Sequence, residues 1–133
     1  MSDWITDYFA DVDAMRLDAY VARHAEDAEI VFANNPPASG RDAIGGAIGG
    51  FWATISGLRH EVHNQWQLND GNTAVVEATA HYTTHGGSTV PTPCVSVLDR
   101  NAEGQVTSLR VYIDLSQLVS TIQAESQEST PVP

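Results

Sequence analysis

The apolar periodicity of this chain changes once, at Leu58, and that single change limits the folds open to it. Before Leu58 the apolar residues recur at helical spacing. Trp4, Ile5, Tyr8, Phe9 and Val12 fall at i, i+1, i+4, i+5 and i+8, one face of a helix that Ser2 or Asp3 can cap. Leu17, Tyr20 and Val21 repeat the pattern in a second short helix, expected from about Asp13 to His24. Ile30, Val31 and Phe32 mark a brief strand over residues 28–33. It is broken by Asn34-Asn35-Pro36-Pro37, because consecutive prolines cannot sustain a ladder. A third helix is expected from about Arg41, with Ile44, Ala47, Ile48, Phe51, Trp52 and Ile55 on its apolar side.

From Leu58 onward the period is two. Leu58, His60, Val62, Asn64, Trp66 and Leu68 alternate with Arg59, Glu61, His63, Gln65 and Gln67, which predicts a long half-buried strand with the even set facing the core. Asn69-Asp70-Gly71-Asn72 is a hairpin turn. Strands are expected over residues 73–84, 90–98 and 106–114, then a short helix through Leu115, Leu118, Val119 and Ile122. Helices grouped ahead of a run of hairpins predict an α+β fold: a curved, mainly antiparallel sheet wrapped around three N-terminal helices. The chain is read as one domain over residues 1–124, followed by a polar, flexible tail over 125–133.

Charge removes whole classes of function. Seventeen acids stand against six arginines, with no lysine, for a net charge of −11. Phosphate neutralisation needs clustered cations, so neither nucleic acid nor an anionic membrane is an expected partner. Without lysine there is no Schiff-base chemistry and no P-loop. Cys94 is the only cysteine and can form neither an internal disulfide nor a cysteine-based zinc site. The N-terminus does not read as a secretory signal, and no apolar run approaches the roughly 20 residues of a membrane span. The expected location is the cytoplasm. His81 and His85 lie four apart on one strand, about 13 Å at 3.3 Å per residue, and His60 and His63 point oppositely, so no metal site is expected.

Four glycines interrupt the third helix: Gly45, Gly46, Gly49 and Gly50. At about 0.8–1 kcal/mol each relative to alanine, they cost it roughly 3–4 kcal/mol. Either a neighbouring element packs closely against a face without side chains, or the helix is a soft wall on a ligand cavity.

Several stretches together resemble the nuclear transport factor 2-like superfamily and, within it, the SnoaL-like proteins. Asp7-Tyr8-Phe9, Asp13, Leu17-Asp18-Ala19-Tyr20 and Ala25-Glu26-Asp27-Ala28 look like the family's opening helical pair and first strand. Gly40-Arg41-Asp42-Ala43-Ile44 resembles the start of its third helix, Gly57-Leu58-Arg59-His60-Glu61-Val62 its second strand, and Arg110-Val111-Tyr112-Ile113-Asp114 its last. The resemblance implies a cone with an apolar pocket in its mouth and a homodimer formed through the outer sheet face. It covers isomerases, dehydratases, epoxide hydrolases, polyketide cyclases and non-catalytic binders, so the fold alone does not select an activity.

Against the family's chemistries, the ketosteroid isomerase pattern is implied only at Tyr8. Its first-strand base position falls near Phe32 and its late Asp position near Ser96. The epoxide hydrolase Asp-Arg-Asp relay finds no arginine in residues 73–98 and Val111 in place of its final Asp. What is left is cyclase-, isomerase- or dehydratase-type acid/base chemistry on a small apolar molecule, with no cofactor, or a binding module of the same fold.

In that reading His60 moves the proton, since a reference pKa near 6.5 suits exchange near neutrality. Tyr8 holds the substrate oxygen, and Asp114 is a second acid/base group. Phe32, Asn34, Trp52, Trp66 and Val111 contact substrate. Three of these residues carry a second reading: His60 as a core histidine satisfied by one carbonyl, Asp114 as the cap of the terminal helix, and Tyr8 as plain core packing. Strict alternation puts Leu109, Val111 and Ile113 inward and Asp114 outward, so Asp114 reaches the pocket only through a bulge or the strand's end. In residues 73–84 two faces are open: with the set Glu77, Thr79, His81 and Thr83 inward, Glu77 and His81 become acid/base candidates; outward, the placement preferred here, they belong to the dimer surface.

Overall fold

In the computed structural model, which describes residues 3–128, the Asp3 carboxylate accepts from the Ile5 N–H at 3.2 Å and starts helix α1 (Trp4–Asp13). Its buried face is Ile5, Tyr8, Phe9 and Val12, the set that the helical spacing predicts. The indole of Trp4 donates to the Gly71 carbonyl at 3.0 Å and pins the helix to a distant hairpin.

The next turn departs from expectation. Met15 adopts a left-handed φ of 54°, so helix α2 spans only Leu17–Ala22 and His24 already belongs to strand β1 (His24–Phe32). Asp11 locks this turn. Its side chain is 8% exposed and receives Arg16 Nε at 3.0 Å and Arg23 Nε at 2.5 Å, while its carbonyl accepts from the Arg16 N–H at 3.0 Å. The Arg23 hydrogen bond, with help from Arg16, holds the Asp11 carboxyl below its usual range against the cost of burial.

After the prolines, strand β2 (Ala38–Ser39) returns antiparallel to β1, a short element that the sequence did not announce. Helix α3 (Arg41–Trp52) follows. Its glycines divide by face. A Cβ at Gly49 would lie 2.9 Å from Leu17 Cδ2 and one at Gly45 3.5 Å from Val21 Cγ2, whereas Gly46 and Gly50 face open space. Close packing of α2 therefore accounts for Gly49, whereas a Cβ at Gly45 would make an ordinary van der Waals contact.

The remaining strands are β3 (Ile55–Leu68), β4 (Thr73–Thr84), β5 (Thr89–Arg100) and β6 (Val106–Ile113), followed by α4 (Ser116–Glu128). They complete a six-stranded curved sheet ordered β2-β1-β6-β5-β4-β3, antiparallel except where β1 runs parallel to β6. On β4 the buried set is Ala74, Val76, Ala78, Ala80, Tyr82 and Thr84, so Glu77, Thr79, His81 and Thr83 face outward as expected.

Strand β3 corrects the simple alternation. Its register passes from Val62 opposite Ala78 to Asn64 opposite Glu77, a β-bulge that inserts one residue and reverses the phase of everything after it. Gln65 consequently faces α1, donating to Asp3 Oδ2 at 2.7 Å. Trp66 and Leu68 turn outward and stand 51% and 54% exposed.

At the C-terminus the polar tail expected from residue 125 gives way to helix as far as Glu128. Glu125 accepts from the Thr84 and Ser88 hydroxyls, both at 2.7 Å, which anchors α4 to the β4–β5 turn. Residues 129–133 of that tail lie outside the described residues. Among the described residues no helix is long and apolar enough to cross a membrane.

Candidate functional site

Between the helices and the inner face of the sheet lies a cavity of about 50 Å³. By the usual requirement of some 10–15 Å³ per water, it has room for a few solvent molecules or one small ring. Its walls are mostly apolar: Phe9 and Val12 from α1, Ile48, Phe51 and Trp52 from α3, Leu58 from β3, and Leu109, Val111 and Ile113 from β6. The inward placement of the β6 trio follows the alternation read from sequence. Phe32 also lines the cavity, its ring 5.0 Å from that of Phe51.

Polar chemistry enters at two places. The first is His60, which precedes the bulge and so keeps the inward phase. Its Nδ1 lies 2.7 Å from Asp13 Oδ1, and its backbone N–H donates to both Asp13 oxygens at 3.1 Å. A carboxylate only accepts, so Nδ1 donates to it, and in the neutral imidazole Nε2 carries the lone pair. Nε2 has no hydrogen-bond partner among the described residues. Since no buried side-chain nitrogen or oxygen among the described residues is without one, Nε2 borders open space. The imidazole packs tilted against Phe9, ring centroids 4.8 Å and planes 52° apart, and these two rings line both the cavity and a more open groove between α1 and β3 that Thr6, Asp13, Val62 and Gln65 also line.

The second place is a buried chain of Tyr20, Tyr8 and His24. The two hydroxyls lie 2.7 Å apart, and Tyr8 Oη lies 3.0 Å from His24 Nε2. His24 Nδ1 lies 2.9 Å from the Tyr20 carbonyl, which can only accept, so Nδ1 donates. Burial lowers the pKa of His24 and keeps it neutral near pH 7, leaving Nε2 to accept from the Tyr8 hydroxyl. Tyr20 then donates to Tyr8. Burial pushes both phenols up, so neither ionises near neutrality.

The expected site residues therefore separate. His60, Tyr8, Phe32, Trp52 and Val111 line one cavity. Tyr8 differs from expectation in one respect: its single proton is committed to His24. Asp114 is exposed and accepts from the Ser116 N–H at 2.9 Å at the start of α4, which holds its carboxyl below the usual range. The strand ends without the bulge that Asp114 would need to reach the cavity. Asn34 is exposed in the turn after β1, and the β3 bulge carries Trp66 to the opposite face of the sheet.

Sequence reasoning missed Asp13, Tyr20 and Tyr82. For Asp13 a signal existed: it lies four residues after Phe9, on the same helical face. No group of three or more His, Cys, Asp or Glu among the described residues could hold a metal ion.

The SnoaL-like domain family matches residues 5–109. None of the curated proteins compared with the chain matches it. Among solved structures, one similar chain is the epoxide hydrolase/cyclase-like enzyme SalBIII of salinomycin pyran ring formation. It is 22% identical, with a TM-score of 0.74 over 85% of this chain and 89% of that one. A protein with a ketosteroid isomerase-like fold from Catenulispora acidiphila, solved with trimethylamine, is 20% identical, with a TM-score of 0.78 over 92% and 94%. RV0760c from Mycobacterium tuberculosis, solved with estradiol-17beta-hemisuccinate, is 18% identical, with a TM-score of 0.73 over 84% and 92%. At these identities the likeness concerns the fold.

Proposed function

Because the chain belongs to the SnoaL-like domain family, we propose that it is a small-molecule enzyme of that family's cyclase, isomerase or dehydratase kind, using side-chain acid/base chemistry on an apolar substrate. The observation that carries this reading is the His60–Asp13 pair at the rim of an apolar cavity. Asp13 fixes the tautomer, and Nε2 removes a proton from a carbon next to a carbonyl. The C–H electrons move onto the carbonyl oxygen as an enolate. Asp13 steadies the imidazolium formed, and the proton returns to carbon or oxygen in the second half of the reaction. Phe32, Trp52 and Val111 exclude water from the reacting centre.

The chemistry calls for no cofactor. The outer sheet face, with Trp66 and Tyr112 51% and 61% exposed, supports a homodimer, and the reduced lone cysteine and acidic composition support a cytoplasmic setting.

The test is exchange of the α-protons of cyclopentanone in D₂O, followed by proton NMR. Wild type is expected to accelerate exchange, and His60→Gln to lose about 10²–10⁴-fold of that acceleration. Equal rates in the two proteins would remove His60 from the chemistry. The dominance of apolar wall supports a second reading, a ligand-binding module of the same fold; bound ketone without exchange would favour it.

A further inference from the structure

The β-bulge after Val62 leaves a groove beneath α1. At the bulge His63 and Asn64 both turn to the outer face of the sheet. There His63 Nε2 lies 2.8 Å from the Thr79 hydroxyl, and the Asn64 amide donates to Glu77 at 2.7 Å. Between Val62 and Gln65 the strand therefore sends no side chain toward the helix. Across the gap Ala10 contributes only a methyl group. The resulting groove measures about 330 Å³ and reaches from Ile5 to Asp13, about 12 Å along the helix at 1.5 Å per residue. It leaves Val62 46% exposed.

Two features say what the groove takes. The first is continuity. Phe9 and His60 line both the groove and the cavity, so a molecule that fills both spaces passes the imidazole. The cavity alone, at about 50 Å³, falls well below the roughly 300–1,000 Å³ common in ligand pockets, and the groove supplies the missing room. The second is charge. No arginine lines the groove. The Asp13 carboxylate, 28% exposed, closes one end, and at the other Gln65 is held by Asp3. An anionic group placed here would meet like charge and no cation.

We infer that the groove between α1 and β3 is the second half of the substrate site, and that it holds an uncharged aliphatic arm attached at the reacting carbon. The carbonyl end of the molecule lies in the cavity, the arm lies along Ala10 and Val62, and the carbon joining them rests against His60. The arm covers the exposed Val62 side chain, so affinity rises with the apolar area that it buries. The inference deepens the proposed function and rests on it for the position of the reacting carbon.

The experiment compares cyclopentanone with a cyclopentanone that carries a pentyl chain on one α-carbon, each titrated into the full chain and followed by NMR chemical shifts. Wild type is expected to bind the pentyl ketone about tenfold to a hundredfold more tightly. Ala10→Phe plugs the groove and Val62→Ser removes its apolar wall; both positions are exposed, so the fold tolerates the changes. Ala10→Phe is expected to cut the pentyl advantage to below about threefold and Val62→Ser to reduce it about twofold to fivefold, while the Kd of cyclopentanone, which does not reach the groove, stays within about twofold. A pentyl ketone whose chain ends in a carboxylate is expected to bind wild type no better than cyclopentanone. An undiminished pentyl advantage in Ala10→Phe puts the arm elsewhere and refutes the inference, with the proposed function intact. A changed oligomeric state of Ala10→Phe in light scattering, with both ketone affinities kept, assigns the groove to a second copy of the chain and also refutes it. Failure of the proposed function reads differently: neither ketone exchanges α-protons in D₂O, yet the pentyl advantage and its loss in Ala10→Phe persist.

Discussion

Asp13 and His60 lie 47 residues apart in the chain, yet the carboxylate receives both the imidazole Nδ1–H, at 2.7 Å, and the backbone N–H of the same residue, at 3.1 Å. Three contacts from one carboxylate set the ring's orientation and its tautomer together. Asp13→Asn, which keeps an acceptor but loses the charge, is expected to slow α-proton exchange about 10–100-fold with little change in ketone affinity. Asp13→Ala also releases the backbone contact and is expected to cost about 1–2 kcal/mol in a denaturant titration. Exchange at the wild-type rate in Asp13→Asn would show that the carboxylate only braces the helix.

His24 makes folding sensitive to mild acid. Its folded pKa is lowered by burial, while the unfolded value is about 6.5. Between those two values the unfolded chain binds a proton that the folded chain refuses, so stability falls as pH drops below about 6.5 and recovers as pH rises. Melting temperatures measured from pH 7.5 to pH 5 are expected to decline, and His24→Gln is expected to flatten the decline while lowering stability at pH 7.5. A parallel slope in the variant would assign the effect to other histidines.

The glycines of α3 offer a control on packing. Gly46→Ala and Gly50→Ala are each expected to stabilise by about 0.5–1 kcal/mol, since the added methyl meets nothing and the helix gains propensity. Gly49→Ala places its methyl 2.9 Å from the terminal Cδ2 of Leu17, which must shift, and is expected to gain less stability than either. Thermal unfolding of the three variants side by side checks the division, and equal stabilisation by Gly49→Ala would break it.

The homodimer of the proposed reading makes its own demand on the outer sheet face. Trp66→Glu, on a residue turned outward by the bulge, is expected to yield monomer by light scattering at micromolar concentration where wild type is dimeric. A monomeric wild type would set the outer face aside as an interface.

Much of this architecture is legible in the sequence, because apolar periodicity is a local property of the chain. The shift from a period near 3.6 to a period of two at Leu58 separated helices from hairpins, and alternation alone put Leu109, Val111 and Ile113 inside and Asp114 outside. Local pattern failed where a residue's surroundings come from a distant element. The bulge after Val62 is set by pairing with β4, and it reversed Trp66 without a mark in the sequence. The left-handed Met15 shortened α2 and freed His24 to meet Tyr8. Asp13 reached His60, and Val62 was left beside an open groove, because packing decides which groups share a wall and which are left facing a hollow. Spacing along a chain dictates which way a side chain turns; only the assembled tertiary fold dictates what waits there to receive it.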